Sequence, residues 1–244
     1  MRIGLSSAAA PAASFDELLA LSQRRGFAAL ELREQDAHGV ERDRAFEAAR
    51  FAEAAAAAGV TITGFRPSAG DGSELRLARL GMALDTAILI RPEPDMRHAI
   101  ERAGALRSVG ARIGIVLRGD ESNADLDLLA LSTFELAWDA DPAEDGLGAR
   151  AARVLDRFAP RLRHVQMIGG GPEATLHEGR GVGEVMTRLA LAGYDGAVLL
   201  APSGARFRVA WDAWLGRRGG WGCGSKSSDP TLVNLATPLK ETNR

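Results

Sequence analysis

Four arginines carry the clearest chemical signal in this sequence, because each follows a short apolar run that is typical of a buried strand. They are Arg33, Arg66, Arg91 and Arg118. A guanidinium stays protonated and only donates hydrogen bonds, so it suits a carboxylate or phosphate, which it holds through paired charge-assisted bonds. Convergence of the four would form a pocket for a small anionic molecule. In the alternative interpretation they rigidify the rim by pairing with Glu31, Glu34, Asp139 and Asp141.

Two carboxylates are the candidates for acid and base chemistry. Glu31 and Asp139 stand near the ends of two predicted strands, where neighbouring arginines would keep them ionised as bases. Lone carboxylates at such positions also serve as structural partners, and this second interpretation stays open. His38, on the loop after the second strand, is a further candidate for contacting a ligand, with a solvated side chain as its alternative.

The composition narrows the class of protein. A chain of 244 residues with 46% hydrophobic residues can bury a sizeable core, and its formal net charge of −2 provides no basic field for nucleic acid. No apolar run is long enough to span a bilayer, and the N-terminal residues lack the pattern of a signal peptide, so we expect a cytoplasmic protein without a membrane partner. The single cysteine, Cys223, excludes an internal disulfide framework. A homo-oligomer stays open.

Short apolar runs alternate with longer amphipathic stretches, and these elements must position the candidate residues. The predicted strands are Arg2–Leu5, Ala28–Leu32, Ile62–Phe65, Thr86–Ile90, Ile113–Leu117, Phe134–Trp138, His164–Ile168 and Ala197–Leu200. The predicted helices are Phe15–Arg25, Arg42–Ala58, Glu74–Ala83, Met96–Val109, Leu126–Leu131, Ala149–Phe158, Val185–Ala192 and Arg206–Leu215. Eight strand–helix units in a chain of this length predict an α/β fold of the (β/α)8 TIM barrel type, with an open doubly wound sheet as the alternative.

The predicted barrel domain covers residues 1–216, and residues 217–244 have a different character. This tail is rich in glycine, serine, proline and charge and lacks apolar periodicity, so we expect a flexible extension. In the alternative, sparse apolar anchors dock it onto the barrel or a partner, and Cys223 lies among them.

Two stretches have a more specific pattern. One is SFDELLALSQRRGFAALELRE; the other, HEGRGVGEVMTRLALAGYDGAVLL, places a G-x-G before a helix and G-Y-D-G before a strand. In these stretches the chain resembles the xylose isomerase-like barrels, the sugar phosphate isomerase/epimerase superfamily, over roughly residues 1 to 215. The glycines of GRGVGEV and those at 169–171 would expose backbone N–H groups to a phosphate at a helix N-terminus, with a tight loop as the alternative.

The resemblance also implies a divalent metal, Mn, Mg or Co. In such barrels a Glu ending the fifth strand, an Asp ending the sixth, a His on the seventh and a Glu ending the eighth hold the ion. Matched by position, this chain has Arg118, Asp139, Gln166 and Ala201 there. Three of the four ligands are replaced, so we predict a degenerate metal site and no cofactor, and Gln166 joins the substrate-binding candidates.

Together these residues predict a sugar phosphate isomerase/epimerase-like barrel that is metal-independent or catalytically degenerate. Its arginine-lined pocket would hold a phosphorylated or acidic sugar. If the protein is active as an isomerase or epimerase, Glu31 or Asp139 moves a proton while the arginines stabilise the enediolate charge. The alternative is a non-catalytic binding protein or partner subunit whose barrel mouth holds an anionic metabolite or peptide.

Overall fold

The computed structural model describes residues 1–39, 45–68, 73–141, 146–169 and 176–202. Eight parallel strands follow one another around a closed barrel, in which β8 pairs with β1. They are β1 (Arg2–Ser6), β2 (Ala29–Arg33), β3 (Thr61–Arg66), β4 (Ala87–Ile90), β5 (Ile113–Leu117), β6 (Glu135–Ala140), β7 (Leu162–Gly169) and β8 (Ala197–Pro202). The closed barrel confirms the predicted TIM barrel and excludes an open doubly wound sheet.

Helices connect successive strands and cover the barrel. Within the described ranges they are α1 (Phe15–Arg25), α2 (Ala45–Ala57), α3 (Glu74–Ala83), α4 (Met96–Ser108), α5 (Asn123–Ala130), α6 (Leu147–Phe158) and α7 (Leu176–Leu191). None of these described helices combines the length and hydrophobicity that a membrane span requires. The predicted eighth helix, the tail at 217–244 and Cys223 lie outside the described residues.

Polar caps set the starts of several helices, as their sequence predicts. Ser14 and Glu17 form a reciprocal capping box before α1, and Gly26 ends that helix with a φ of 67°. The Asp95 side chain accepts the backbone N–H of His98 at the start of α4. Ser122 caps α5 in the same way, which is why α5 begins at Asn123 and not at the predicted Leu126.

The glycine-rich stretch before the last described strand differs from its prediction. Helix α7 begins at Leu176, nine residues before the predicted Val185, so Gly181 and Gly183 lie inside the helix. Their backbone N–H groups lie beyond the first turn and belong to the helical hydrogen-bond ladder, so these two glycines form no phosphate-binding loop. Gly170 and Gly171, of the other predicted glycine run, lie outside the described residues. A glycine costs only about 1 kcal/mol in a helix interior, and packing of the helix onto the barrel outweighs that cost.

Apolar side chains in the interior of the barrel form two clusters of their own, separate from the larger core between strands and helices. One cluster contains Ala87, Leu89, Val116 and Ala137, and the other contains Ala29, Ala197 and Leu199. The spacing is close: a Cβ added at Gly4 would lie 2.1 Å from the carbonyl oxygen of Ala29. Glycine at position 4 therefore permits the close approach of β1 and β2.

Candidate functional site

Six buried polar side chains lie together in the barrel interior toward the C-terminal ends of the strands. This interior cluster consists of Ser6, Glu31, Arg66, Asp139, His164 and Gln166. Each of the six residues is at most 4% exposed. They come from β1, β2, β3, β6 and β7, so the cluster joins strands on opposite sides of the barrel. The closed barrel therefore brings both predicted acid and base candidates, Glu31 and Asp139, into one network.

Glu31 is the centre of this network. Its Oε1 accepts hydrogen bonds from Ser6 Oγ at 2.8 Å and from Gln166 Nε2 at 2.9 Å. Its Oε2 lies 3.2 Å from Arg66 Nη2 and 2.7 Å from His164 Nε2. A carboxylate has about four acceptor sites. These four contacts therefore use the full hydrogen-bonding capacity of Glu31.

Arg66 joins the two carboxylates. Its Nη1 and Nη2 donate to the two oxygens of Asp139 at 2.7 and 2.8 Å, a bidentate pair that crosses the barrel from β3 to β6. The same Nη2 also contacts Glu31. Arg91 approaches Asp139 more loosely, with 3.5 Å between Nη2 and Oδ2. Asp139 is thus held chiefly by Arg66.

The electrostatics of the interior cluster fix its charges. Burial would raise the pKa of the Glu31 carboxyl, but the Arg66 charge and the hydrogen bonds from His164 and Ser6 lower that pKa well below its usual range. Burial alone would lower the pKa of Arg66. The charges of Glu31 and Asp139 outweigh burial and raise that pKa above its usual value. Since a general base works best with a pKa near the working pH, Glu31 is a weak proton acceptor.

His164 lies deep in the barrel, as its position early in β7 implies. The ionised Glu31 can only accept a hydrogen bond, so Nε2 of His164 carries the hydrogen that the two groups share. The other ring nitrogen, Nδ1, is buried and has no partner among the described residues. A Cβ at Gly64 would lie 3.1 Å from His164 Cε1, so the glycine provides space for the ring.

A small cavity lies beside the interior cluster, at the rim. Its volume is about 240 Å³. The lining includes three of the four predicted arginines, Arg33, Arg66 and Arg91, together with Arg102 of α4. Glu93 is the only acid among the described residues that line it. We call this space the arginine cavity, and its positive lining matches the chemistry predicted for these arginines.

Two of the arginines that line the arginine cavity each have an unsatisfied donor. Nε of Arg66 and Nε of Arg91 are buried, and neither has a hydrogen-bond acceptor among the described residues. The Arg33 side chain forms no ion pair within the described ranges, although Arg33 and Arg66 are register partners on β2 and β3. Buried donors normally find an acceptor, so these groups mark a place where an anion would be favourable.

Arg118 is separated from the other predicted arginines. It is exposed and lines a neighbouring cleft of about 330 Å³ together with Arg91 and several acids, including Asp120 and Glu121. Glu121 accepts the backbone N–H groups of Arg118 and Gly119, which fixes the start of this loop. The structure thus brings Arg33, Arg66 and Arg91 to one cavity and places Arg118 in the next.

His38 is buried in the loop after β2 and is not a solvated side chain. Its Nε2 lies 2.6 Å from the carbonyl oxygen of Arg33, which can only accept, so the ring donates there. Nearby, Ser7 Oγ donates to Asp36 at 2.5 Å and accepts the backbone N–H of Arg33. These bonds fix the backbone that carries Arg33.

The four positions matched to metal ligands do not fit a metal ion. Arg118 is a cation on the neighbouring cleft, and Gln166 donates its amide to Glu31. Both oxygens of Asp139 are engaged by Arg66, and Ala201 has no donor atom. Across the described residues, no group of three or more His, Cys, Asp or Glu side chains is arranged to hold a metal.

Three residues of the site were not among the candidates from the sequence. Ser6 and His164 belong to the interior cluster, and Arg102 lines the arginine cavity. Strand parity provides a signal for His164, because it lies two residues before Gln166 and so on the same face of β7. Arg102 has no such signal, since it is one of several charged residues on an amphipathic helix.

Comparisons with known proteins support the fold. No protein-family model matches the chain, and no curated protein sequence matches it. Among solved structures, the probable 3-DHS dehydratase of petrobactin synthesis from Bacillus anthracis has a TM-score of 0.67 at 11% identity, covering 91% of this chain and 100% of its own.

Two further structures are similar over most of the chain. A 3-keto-D-glucoside 4-epimerase from E. coli has a TM-score of 0.62 at 14% identity, covering 88% of this chain and 99% of its own. A xylose isomerase domain protein from Planctomyces limnophilus has a TM-score of 0.60 at 15% identity, covering 88% and 95%. At these identities the likeness concerns the fold alone. The chain therefore has the fold of the xylose isomerase-like (β/α)8 barrels.

Proposed function

We propose that this protein binds a small anionic carbohydrate, a sugar phosphate or a sugar acid, in the arginine cavity, and that its barrel is catalytically degenerate. The observation that carries the proposal is the pair of unsatisfied donors, Arg66 Nε and Arg91 Nε, beside a cavity with four arginines and one acid in its described lining. An anion entering the cavity would supply the acceptors that these donors lack.

The size of the cavity supports a small ligand. Clefts that hold drug-sized molecules measure roughly 300–1,000 Å³, and the arginine cavity is smaller at about 240 Å³. Ser68 and Gln35 add neutral polar groups to its lining, which suit the hydroxyls of a carbohydrate. The solved epimerase that shares this fold acts on a keto-glucoside by its name, and a carbohydrate ligand is consistent with that likeness.

The arginines of the cavity differ in how firmly neighbouring groups hold their side chains or backbone. Arg66 is held rigidly by two carboxylates, so it offers its remaining N–H without a loss of side-chain freedom. Arg91 is 39% exposed and only loosely held by Asp139, so it is free to turn toward an anion. Arg33 lies at the end of β2, where the bonds of Ser7 and His38 fix its backbone.

Catalysis by proton transfer has weak support in the interior cluster. Glu31 is fully buried, saturated with hydrogen bonds and has a strongly lowered pKa. Both oxygens of Asp139 accept hydrogen bonds from Arg66. A base must reach the proton that it removes, and neither carboxylate faces the cavity with a free oxygen. We therefore assign both residues a structural role.

Calorimetric titration tests the proposal. Glucose 6-phosphate and gluconate should bind, and neutral glucose should bind at least about tenfold more weakly, because a charge-assisted hydrogen bond contributes about 1.5–3 kcal/mol. Arg91→Ala and Arg33→Ala should each weaken binding of the anions about tenfold or more. Binding should also weaken between 50 mM and 300 mM salt, since the cavity is partly open to solvent.

Arg163→Ala provides the matched control. Arg163 lies near the start of β7, at the opposite end of the barrel, and pairs there with Asp195 over 3.4 Å. The variant removes the same charge from the protein without touching the cavity, so anion affinity should stay unchanged. Equal affinity for glucose and glucose 6-phosphate, or unchanged binding in both cavity variants, would contradict the proposal.

A further inference from the structure

The Asp139 carboxylate contacts both of the cavity-lining arginines that have an unsatisfied donor. Its Oδ1 accepts a hydrogen bond from Arg66 Nη2 at 2.8 Å, and its Oδ2 accepts one from Arg66 Nη1 at 2.7 Å. The same Oδ2 lies 3.5 Å from Arg91 Nη2. Asp139 thus reaches from β6 to the end of β3 and to the residue that follows β4.

In both arginines, terminal nitrogens contact Asp139 and Nε has no partner among the described residues. A guanidinium is planar and carries its N–H groups in fixed directions, so a carboxylate that engages the terminal nitrogens also sets the direction of the Nε–H. Arg66 is held firmly, because Glu31 engages its Nη2 as well. Arg91 has one contact with Asp139, so its movement is restricted less.

We propose that Asp139 is a positioning residue for anion binding, which holds the terminal nitrogens of Arg66 and Arg91 and so leaves their Nε–H groups for the ligand. The inference rests on the anion-binding function proposed above and gives Asp139 a task beyond the stability of the barrel. Glu31 differs from Asp139, since Arg66 is the only arginine that it contacts within the described ranges.

Positioning and simple electrostatics predict opposite effects when Asp139 is neutralised. By Coulomb's law, the loss of a negative charge near the cavity should favour an anion. If Asp139 positions the donors, its loss weakens binding, because the freed arginine side chains must then be ordered by the ligand. Asn has one acceptor oxygen, and its NH2 group only donates, so Asp139→Asn breaks the bidentate pair with little change of shape.

Calorimetric titration with gluconate tests this inference, with urea denaturation to show that each variant is folded. Asp139→Asn should bind gluconate about tenfold or more weakly than the wild-type protein, the size expected for loss of one charge-assisted hydrogen bond. Two other acids provide the comparison for this loss of affinity.

The first comparison is Glu93, which is exposed, lines the same cavity and has no ion pair among the described residues. Glu93→Gln should bind gluconate about two- to threefold more tightly, as expected for removal of an exposed like charge. The second is Asp195, which pairs with Arg163 at the opposite end of the barrel. Asp195→Asn removes the same charge as Asp139→Asn and should bind gluconate as the wild type does.

A measurement on the wild-type protein tests the inference even if Asp139→Asn does not fold. The Nε–H resonances of Arg66 and Arg91, assigned from through-bond NMR spectra of isotopically labelled protein, should shift as gluconate is added. The Nε–H resonance of Arg163 should stay in place and serves as the internal control. In folded Asp139→Asn, the shift of the Arg66 resonance should be smaller at the same gluconate concentration.

The outcomes separate this inference from the proposed function. A wild-type protein that binds neither gluconate nor glucose 6-phosphate contradicts the proposed function, and the inference with it. Binding by the wild type together with equal or tighter binding by folded Asp139→Asn contradicts the inference alone. The same holds if bound gluconate leaves the Nε–H resonance of Arg66 unchanged.

Discussion

Arginine has two different roles at the same end of this barrel. Arg33 and Arg66 are register partners on adjacent strands, and strand parity places both side chains on the inner face. Arg66 is buried between two carboxylates, while Arg33 lines the cavity and forms no ion pair among the described residues. The two carboxylates of the interior cluster are thus engaged by close buried donors, whereas the arginines of the arginine cavity keep unused donors.

This contrast shows that charge at a strand end does not by itself indicate a reactive group. Where buried donors engage both oxygens of a carboxylate, that carboxylate stabilises the barrel and is a poor catalyst. Where guanidiniums lack partners, they are available to a ligand. Substitutions in the interior cluster should therefore lower the free energy of unfolding more than substitutions at the rim.

The largest loss of stability should follow Glu31→Ala. The variant removes the acceptor for four buried groups, Ser6, Arg66, His164 and Gln166, so we expect the free energy of unfolding to fall by about 3–5 kcal/mol. Urea denaturation measures the change. The control is Glu135→Ala, which removes a Glu from a strand at the opposite end of the barrel.

Glu135 pairs with Arg112 over 3.3 Å, and both side chains are at least one-third exposed. Its removal should cost less than about 1 kcal/mol, as for other exposed ion pairs. Equal losses in the two variants would show that the interior cluster does not stabilise the barrel more than a surface pair does.

The second effect concerns acid. The pKa of Glu31 is lower in the folded protein than its usual value of 4.5, so the unfolded chain takes up a proton first as the pH falls. The stabilisation from Glu31 is fully present above pH 4.5 and is lost progressively below it. Urea titrations between pH 6 and pH 3 should show this loss in the wild type.

Glu31→Gln provides the comparison for the acid effect. This variant is less stable at pH 6 but lacks the titrating group, so its stability should depend less steeply on pH below 4.5. Parallel pH profiles for the two proteins would mean that Glu31 does not link protonation to unfolding.

The third prediction concerns the close packing of β1 and β2 beneath the interior cluster. A Cβ at Gly4 would press against the backbone oxygen of Ala29 at 2.1 Å, so Gly4→Ala should force β1 from β2 at a cost of about 1–3 kcal/mol. Gly104→Ala in α4 meets nothing within 4 Å and should stabilise the protein by about 0.5–1 kcal/mol. Calorimetric Tm values for both variants check these signs.

The smallest effects on stability belong to the rim. Arg33→Ala and Arg91→Ala should each change the free energy of unfolding by no more than about 0.5 kcal/mol, as for surface substitutions generally. The same variants should show the largest losses of anion affinity. A variant of Arg33 or Arg91 that is clearly less stable than the wild type but binds glucose 6-phosphate normally would reverse the roles assigned to the two regions.

Much of the fold and part of the site were predictable from local pattern. The eight strands, most of the helices and the arginines at successive strand ends follow from apolar runs, caps and parity. The same parity predicts that Glu31, Arg66 and Asp139 lie on the inner face. The start of α7 was not predictable from local pattern. Closely spaced glycines are typical of a loop, whereas in the folded protein packing onto the barrel keeps Gly181 and Gly183 helical.

The sequence by itself determined which side chains reach the mouth of the barrel and that cations would outnumber the retained metal ligands there. Only the tertiary structure decided which arginine is buried and which is free. Glu31 and His164 are 133 residues apart, and Arg66 and Asp139 are 73 apart, so these contacts exist only once the barrel closes. Local periodicity encodes the face that a side chain occupies, whereas its partners and its depth depend on strands on the opposite side of the barrel.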